Sequence, residues 1–149
     1  MNRAICVIAS GGGHLKEAKL AFRDLEVQPH FYVTNFLPHL AETLKSEKVF
    51  FIVDPSGSFV KYFINVVQTA FIYAIMRPSI IITTGAGMVI PMCIIGKFFG
   101  SEIIFIESGA RVIFPSRTGL FLYRFSDCFI IQSEELQKYY PRAIVKRGP

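Results

Sequence analysis

The run Ser10-Gly11-Gly12-Gly13-His14 constrains this chain more than any other feature. It stands directly after an apolar run at residues 4–9 and directly before a helical pattern at 15–25, so it reads as strand, tight glycine turn and helix. Glycines at such a junction let backbone N–H groups approach a ligand without a Cβ in the way, and the helix that follows carries partial positive charge at its start. Gly11, Gly12 and Gly13 are therefore candidate phosphate-binding positions. The spacing excludes two common motifs. Lys16 stands where a dinucleotide fingerprint needs its third glycine, and no Gly-Lys-Ser/Thr follows. His14 adds a side chain that can take or give a proton near neutral pH at the mouth of an anion site. A plain tight turn with an exposed histidine is the alternative reading.

Beyond this turn, strand-like and helix-like segments alternate. Strands are predicted at residues 4–9, 28–34, 49–53, 79–84, 102–107, 127–132 and, more weakly patterned, 143–146. Helices are predicted between them, at 15–25, 38–46, 59–76, 88–99, 117–126 and 134–139. Ile80-Ile81-Ile82, Ile103-Ile104-Phe105-Ile106 and Phe129-Ile130-Ile131 are unbroken β-branched or aromatic runs, as expected where both faces of a sheet are covered. The fold class is α/β: one Rossmann-like, doubly wound domain over residues 1–149 with a mostly parallel sheet. Ligands in such sheets bind at the carboxyl ends of the strands. That rule gathers the loops at 10–14, 83–87, 107–111 and 132–135 on one edge.

Hydrophobic residues make up 52% of the chain and charged residues 18%, with mean hydropathy +0.43, high for a domain that meets only water. The formal net charge of +5 points to an anionic partner. Basic residues scattered among Phe, Ile and Val, with no recognisable nucleic-acid motif, favour a membrane surface and no nucleic acid. Cys6, Cys93 and Cys128 lie at wide, unpatterned separations in apolar surroundings, so buried thiols are expected and no metal site. Met1-Asn2-Arg3 leads straight into a short β-type run, so no secretory leader is expected.

Two further loops carry candidate chemistry. Thr83-Thr84-Gly85-Ala86-Gly87 again joins strand to helix through glycines, and Thr84, Gly85 and Gly87 could help clamp a diphosphate or sugar. Small residues also serve plain strand-to-helix packing. In Glu107-Ser108-Gly109-Ala110-Arg111, Arg111 and Ser108 could hold phosphate oxygens while Glu107 accepts sugar hydroxyls or orients a base. A structural Glu107–Arg111 ion pair is the alternative.

The predicted helix at 59–76 has fifteen residues between Lys61 and Arg77, of which Asn65, Gln68 and Thr69 are clearly polar. That is short of the roughly twenty apolar residues of a comfortable membrane span. Lys61 and Arg77 flank aromatics at Phe59, Tyr62, Phe63, Phe71 and Tyr73, the pattern of a helix lying in a membrane interface or binding a partner. Lys97, late in the next apolar helix, extends the same candidate surface. An ordinary core-facing helix is the alternative.

In order along the chain, the Ser-Gly-Gly-Gly-His turn, Thr-Thr-Gly-Ala-Gly, Ile-Glu-Ser-Gly-Ala-Arg and Ser-Arg-Thr-Gly-Leu-Phe-Leu-Tyr, followed by residues 127–132 and Glu135-Leu136, resemble the membrane-anchor subunit of the split lipid-linked N-acetylglucosaminyltransferase. The resemblance is particularly to its bacterial capsule and exopolysaccharide counterparts. The chain is also similar to the acceptor-binding half of the peptidoglycan N-acetylglucosaminyltransferase, a GT-B enzyme of two Rossmann-like halves. The resemblance implies half of a GT-B glycosyltransferase, inactive without a catalytic subunit that supplies the nucleotide-sugar donor. It implies a polyprenyl-diphosphate-linked sugar as acceptor, no cofactor in this chain, and a place at the cytoplasmic face of the cell membrane.

By the same resemblance Gly11, Gly12, Gly13 and His14 sit at the acceptor, with His14 the proposed base. Glu107 and Arg111 match the Glu-Ser-x-x-Arg pattern of the anchor subunits. The sequence ends at Arg147-Gly148-Pro149 where the family usually continues through a short docking tail, and it shows no initial membrane helix of the eukaryotic kind. Anchoring is then expected from residues 59–76 and their neighbours. A purely structural adaptor without catalytic groups and a stand-alone nucleotide-binding enzyme are the other readings.

Overall fold

The computed structural model describes residues 3–23 and 27–146. The expected end of the first helix near Leu25, and the sequence at 1–2 and 147–149, lie outside the described residues. Seven strands form one parallel sheet: β1 (Ile5–Ile8), β2 (Phe31–Asn35), β3 (Val49–Ile52), β4 (Ile80–Thr83), β5 (Glu102–Ile106), β6 (Cys128–Ile131) and β7 (Ile144–Val145), in the order β3-β2-β1-β4-β5-β6-β7. Central β1 runs Ile-Cys-Val-Ile with every side chain buried, because helices cover both of its faces. It pairs with β2 from Cys6↔Phe31 to Ile8↔Val33 and with β4 from Ile5↔Ile80 to Ile8↔Thr83.

The helices are α1 (Gly13–Phe22), α2 (Pro38–Thr43), α3 (Phe59–Met76), α4 (Ile90–Phe98) and α5 (Arg117–Leu122). Parallel strands need crossovers, and the strand order sends α1 and α2 to one face and α3, α4 and α5 to the other. Two cores result. Ile5, Val7, Tyr32 and Ile82 pack under Leu15, Ala18, Leu40 and Leu44 on the first face. Cys6, Ile8, Ile81 and Phe105 pack under Ile72, Tyr73, Met92 and Leu122 on the second.

Every predicted strand is present and the doubly wound architecture is as expected. Several helices are shorter than their patterns. Pro91, which has no N–H to give, stands in the first turn of α4, and Gly87–Val89 precede it as a 3-10 turn. Residues Glu134–Lys138 also wind as a 3-10 helix rather than an α-helix, closing on i→i+3 bonds such as Leu136 N–H to the Ser133 carbonyl at 3.2 Å. Helix α5 stops at Leu122, where the Ser126 hydroxyl takes the Leu122 carbonyl at 2.8 Å and closes the last turn.

Candidate functional site

Between β1 and β4 the strand order reverses, so the loop after β1 turns to one face and the loop after β4 to the other. Such a switch point opens a crevice at the carboxyl edge of the sheet. The glycine turn sits on its near side. Gly11 donates its N–H to Asn35 Oδ1 at 2.6 Å, and an added Cβ would lie 2.6 Å from Cδ1 of both Leu37 and Leu40. Gly12 adopts φ 88°, ψ −131°, a conformation open essentially to glycine. It caps α1 with no side-chain bond, and the first N–H groups to be satisfied are those of Leu15, to the Ser10 carbonyl, and Lys16, to the Gly12 carbonyl, each at 3.1 Å. The N–H groups of Gly12, Gly13 and His14 carry no hydrogen bond among the described residues, which leaves them for an anion.

The far side is tied to the near side directly. Thr84 donates its hydroxyl to the His14 carbonyl at 2.7 Å. The Gly85 N–H donates to Thr83 Oγ1 at 3.1 Å. Gly85 has φ 112°, and a Cβ there would stand 3.7 Å from His14 Cε1, so the imidazole lies against bare backbone. His14 Nδ1 is buried and has no hydrogen-bond partner among the described residues. Ala86 follows at φ 79°, ψ 150°, a region that L side chains rarely enter. Glycine meets that backbone demand freely at position 85, so the backbone strain held at the crevice is that of Ala86, and the predicted Gly11, Gly12, Gly13, His14, Thr84 and Gly85 do come together; Gly87 opens the following 3-10 turn.

Glu107 is placed differently from expectation. It is 1% exposed. Its Oε2 accepts from Ser116 N–H at 3.1 Å, the Ser116 hydroxyl at 3.0 Å and the Tyr140 hydroxyl at 2.8 Å, while Oε1 accepts from Ser108 N–H at 3.3 Å. A carboxylate so occupied faces the protein, not a sugar hydroxyl, and makes no ion pair with Arg111 among the described residues. Glu107 is thus an anchor for the loop at 108–116, holding Ser108 at one end and Ser116 at the other. Tyr140 reports the same cluster: burial first, then the bond to and charge of Glu107, push its phenol well above the usual range, with Arg111 acting weakly in the opposite direction. Arg111 itself is exposed at the loop's start.

Four residues escaped the reading of the sequence. Asn35 holds the glycine turn, and Tyr140 holds Glu107. Glu17, on α1 one turn beyond His14, accepts the Gly109 N–H at 2.8 Å and so joins the first loop to the third. Gln132 donates Nε2 to the Glu107 carbonyl at 3.1 Å and joins the third to the fourth. A groove of ≈ 600 Å³ between α1 and α2 meets this edge at Gly12, with Leu15, Leu20, Leu40 and Leu44 as an apolar floor.

Helix α3 is inside out. Ser58 caps its start and Arg77, at φ 42° and followed by Pro78, ends it. Its buried residues include Asn65 and Thr69: Asn65 Nδ2 donates to the Val53 carbonyl at 2.8 Å and the Met88 carbonyl at 3.3 Å, and Gln68 Oε1 accepts the Val53 N–H at 2.8 Å. Asn65 and Gln68 stitch the helix to the end of β3 and to the 3-10 turn, and many of the apolar residues turn out, with Phe59 94%, Phe63 70% and Phe71 67% exposed. Tyr62 is partly exposed, and Lys61 and Arg77 lie free of the core. The helix is 18 residues of mean hydropathy 1.4, long and apolar enough to cross a membrane by length and composition. Lys97 departs from expectation: it is paired with Asp127 at 2.5 Å, so its charge is already neutralised.

Residues 52–147 match the family model described as "Oligosaccharide biosynthesis protein Alg14 like". Curated relatives include the UDP-N-acetylglucosamine transferase subunit ALG14 of Candida albicans, 42% identical over 72 residues that make up 44% of this chain and 33% of that protein. The human protein of the same name is 29% identical over 75 residues, 46% of this chain and 35% of that protein. The matched stretch therefore spans about a third of those relatives. Among solved structures, MurG of Acinetobacter baumannii superposes with TM-score 0.70 at 13% identity over 89% of this chain and 42% of its own. The UDP-N-acetylglucosamine 2-epimerase of Rickettsia bellii gives 0.71 at 14% identity over 94% and 42%. At such identities the likeness establishes the fold, a Rossmann-like half of the GT-B type.

Proposed function

The chain belongs to the Alg14-like family of oligosaccharide biosynthesis proteins, and on that premise we propose that it is the acceptor-side subunit of a two-chain glycosyltransferase. It holds a polyprenyl-diphosphate-linked sugar and recruits a catalytic subunit, which carries the nucleotide-sugar donor, to the cytoplasmic face of the cell membrane. The product is a polysaccharide or lipid-linked oligosaccharide, with bacterial capsule or exopolysaccharide as the specific setting.

The observation that carries this reading is His14 held against Gly85 beside the open N–H groups at the start of α1. In our reading the acceptor diphosphate sits on those N–H groups and on the Arg111 guanidinium, which leaves its sugar hydroxyl at the imidazole. The hydroxyl oxygen bonds to the donor's anomeric carbon, the bond from that carbon to the nucleoside diphosphate breaks with its electron pair, and His14 takes the hydroxyl proton. Glu107 acts at one remove by fixing the loop that bears Arg111. The outward face of α3 supports membrane contact, through Phe59, Phe63 and Phe71 with Lys61 and Arg77 at its flanks.

A structural adaptor with no catalytic group is the second reading, favoured by one observation: among the described residues no carboxylate bonds to His14 Nδ1 to orient the ring as a base. The test of the main reading is sugar transfer to a polyprenyl-diphosphate acceptor by the purified chain, by its partner and by their complex. Transfer is expected from the complex alone. Robust transfer by this chain without the partner would overturn the proposal.

A further inference from the structure

The loop that carries Arg111 has a second feature that the site does not use. Directly after it, Val112, Ile113 and Phe114 are all exposed, Phe114 at 67%. Three consecutive apolar side chains in water are costly unless something covers them. The loop is not slack. Glu107 grips it at both ends through Ser108 and Ser116, and the Ser133 hydroxyl donates to the Val112 carbonyl at 2.8 Å. It presents its tip from a fixed base. Helix α5 continues the surface with exposed Leu120 and Phe121, and its Leu122 belongs to the same core as Ile72 and Tyr73 of α3. Helices α5 and α3 therefore share one side of the sheet, and the loop leads into α5.

Charge identifies the covering medium. From Pro55 to Ser126 the carboxylates are Glu102 and Glu107 alone, and with Lys97 paired to Asp127 the remaining cations are Lys61, Arg77, Arg111, Arg117 and Arg124. Glu107 is buried, and Glu102 lies at the opposite edge of the sheet beside Arg3 at 3.8 Å. Between Ser108 and Ser126 there is no carboxylate at all. Apolar tips ringed by unopposed arginines are complementary to a bilayer surface that is anionic outside and apolar within.

Resting on the membrane-bound reading above, we infer that Val112, Ile113 and Phe114 form a second bilayer contact, an anionic-lipid-dependent wedge that inserts beside the acceptor site. Its consequence is positional. With the tip in the acyl boundary, the adjoining Arg111 stands at headgroup depth, where the diphosphate of a polyprenyl lipid also lies. The wedge thus brings the lipid-borne phosphates to the crevice rather than requiring them to leave the interface.

The chain contains no tryptophan, which makes the test direct. Phe114→Trp and, separately, Phe71→Trp each place one emitter in the full chain, to be mixed with vesicles of phosphatidylcholine and phosphatidylglycerol in a three-to-one ratio, some carrying brominated acyl chains. Both emitters should shift to the blue and be quenched. A shift at Phe71→Trp with none at Phe114→Trp would overturn the wedge and leave the α3 contact standing, whereas no shift at either would overturn membrane association itself. A shift at Phe114→Trp on adding the partner subunit without vesicles would assign the tip to that protein instead and overturn the inference. Ile113→Trp carries the same probe if Phe114→Trp fails to fold. Removing Arg117 and Arg124 with Gln should lower partitioning onto the anionic vesicles about fivefold per charge, and unchanged partitioning would refute the electrostatic part.

Discussion

Replacing Tyr140 with Phe removes one hydroxyl and nothing else from a side chain that is fully buried. In the structure that hydroxyl donates to Glu107 Oε2 at 2.8 Å, alongside the Ser116 N–H and hydroxyl. A hydrogen bond to a charged group contributes about 1.5–3 kcal/mol, and the buried carboxylate left behind can recruit no water in its place. A loss of about 2 kcal/mol is expected, equivalent to roughly 4–8 °C in Tm for a domain of this size. Gly119→Ala should cost more, since its Cβ would fall 2.5 Å from both Glu107 Oε2 and the Tyr140 hydroxyl. Thermal unfolding of the full chain by circular dichroism measures both. The assembled complex supplies the functional arm. Tyr140→Phe should raise the acceptor KM several-fold through the loosened Arg111 loop and leave kcat within about threefold. If Tm is unchanged, or if Glu107→Gln abolishes kcat while the fold stays intact, Glu107 is a reacting group and the anchoring role is wrong.

Three further outcomes follow from the same geometry. Ala86→Gly relieves a positive-φ alanine and should stabilise the chain by about 1 kcal/mol after the entropic cost of glycine; urea denaturation reads it, and a loss of stability would mean that the strain is not there. Phe63→Asp with Phe71→Asp should leave unfolding unchanged, as both are exposed, yet lower flotation with anionic vesicles at least tenfold per residue, and retained flotation would exclude α3 as the contact. Burial pushes the Cys93 thiol up to about 12 and raises Cys6 as well, with Cys93 adding to the latter. Raised folded values mean that stability is full below about pH 9 and falls as pH climbs toward 12, by up to about 1.4 kcal/mol per unit for each thiol. Urea midpoints at about pH 8 and about pH 11 test the sign, and a flat profile contradicts it.

Much of the architecture was legible because both faces of the sheet are covered. Ile80-Ile81-Ile82 and Phe129-Ile130-Ile131 have no polar face to confuse a strand with a helix, and the glycine turn fixed where β1 hands over to α1. Helix α3 was legible as a helix but not in its orientation. Asn65, Gln68 and Thr69 read as the wet side by ordinary amphipathic logic; the carbonyls of Val53 and Met88 and the Val53 N–H draw Asn65 and Gln68 inward, while the buried Thr69 hydroxyl is satisfied by the Asn65 and Val66 carbonyls of its own helix. Glu107 misled for a related reason: its partners Ser116 and Tyr140 stand 9 and 33 residues away, so neighbouring Arg111 seemed the natural companion. Lys97 is neutralised by an aspartate 30 residues further on, a pairing that local charge patterning does not reveal. The crevice itself was foreseeable from strand order, while Asn35 and Glu17, which hold its loops together, were not, because each acts on a backbone N–H far along the chain.

Turnover of the assembled complex carrying His14→Ala tests the acceptor-site mechanism most directly. If His14 takes the acceptor proton, kcat should fall by about 10²- to 10⁴-fold with acceptor affinity little changed, while Arg111→Ala should instead weaken acceptor binding by about 1.5–3 kcal/mol. Unchanged turnover in a His14→Ala complex that assembles normally would contradict the catalytic role and leave the chain as an adaptor.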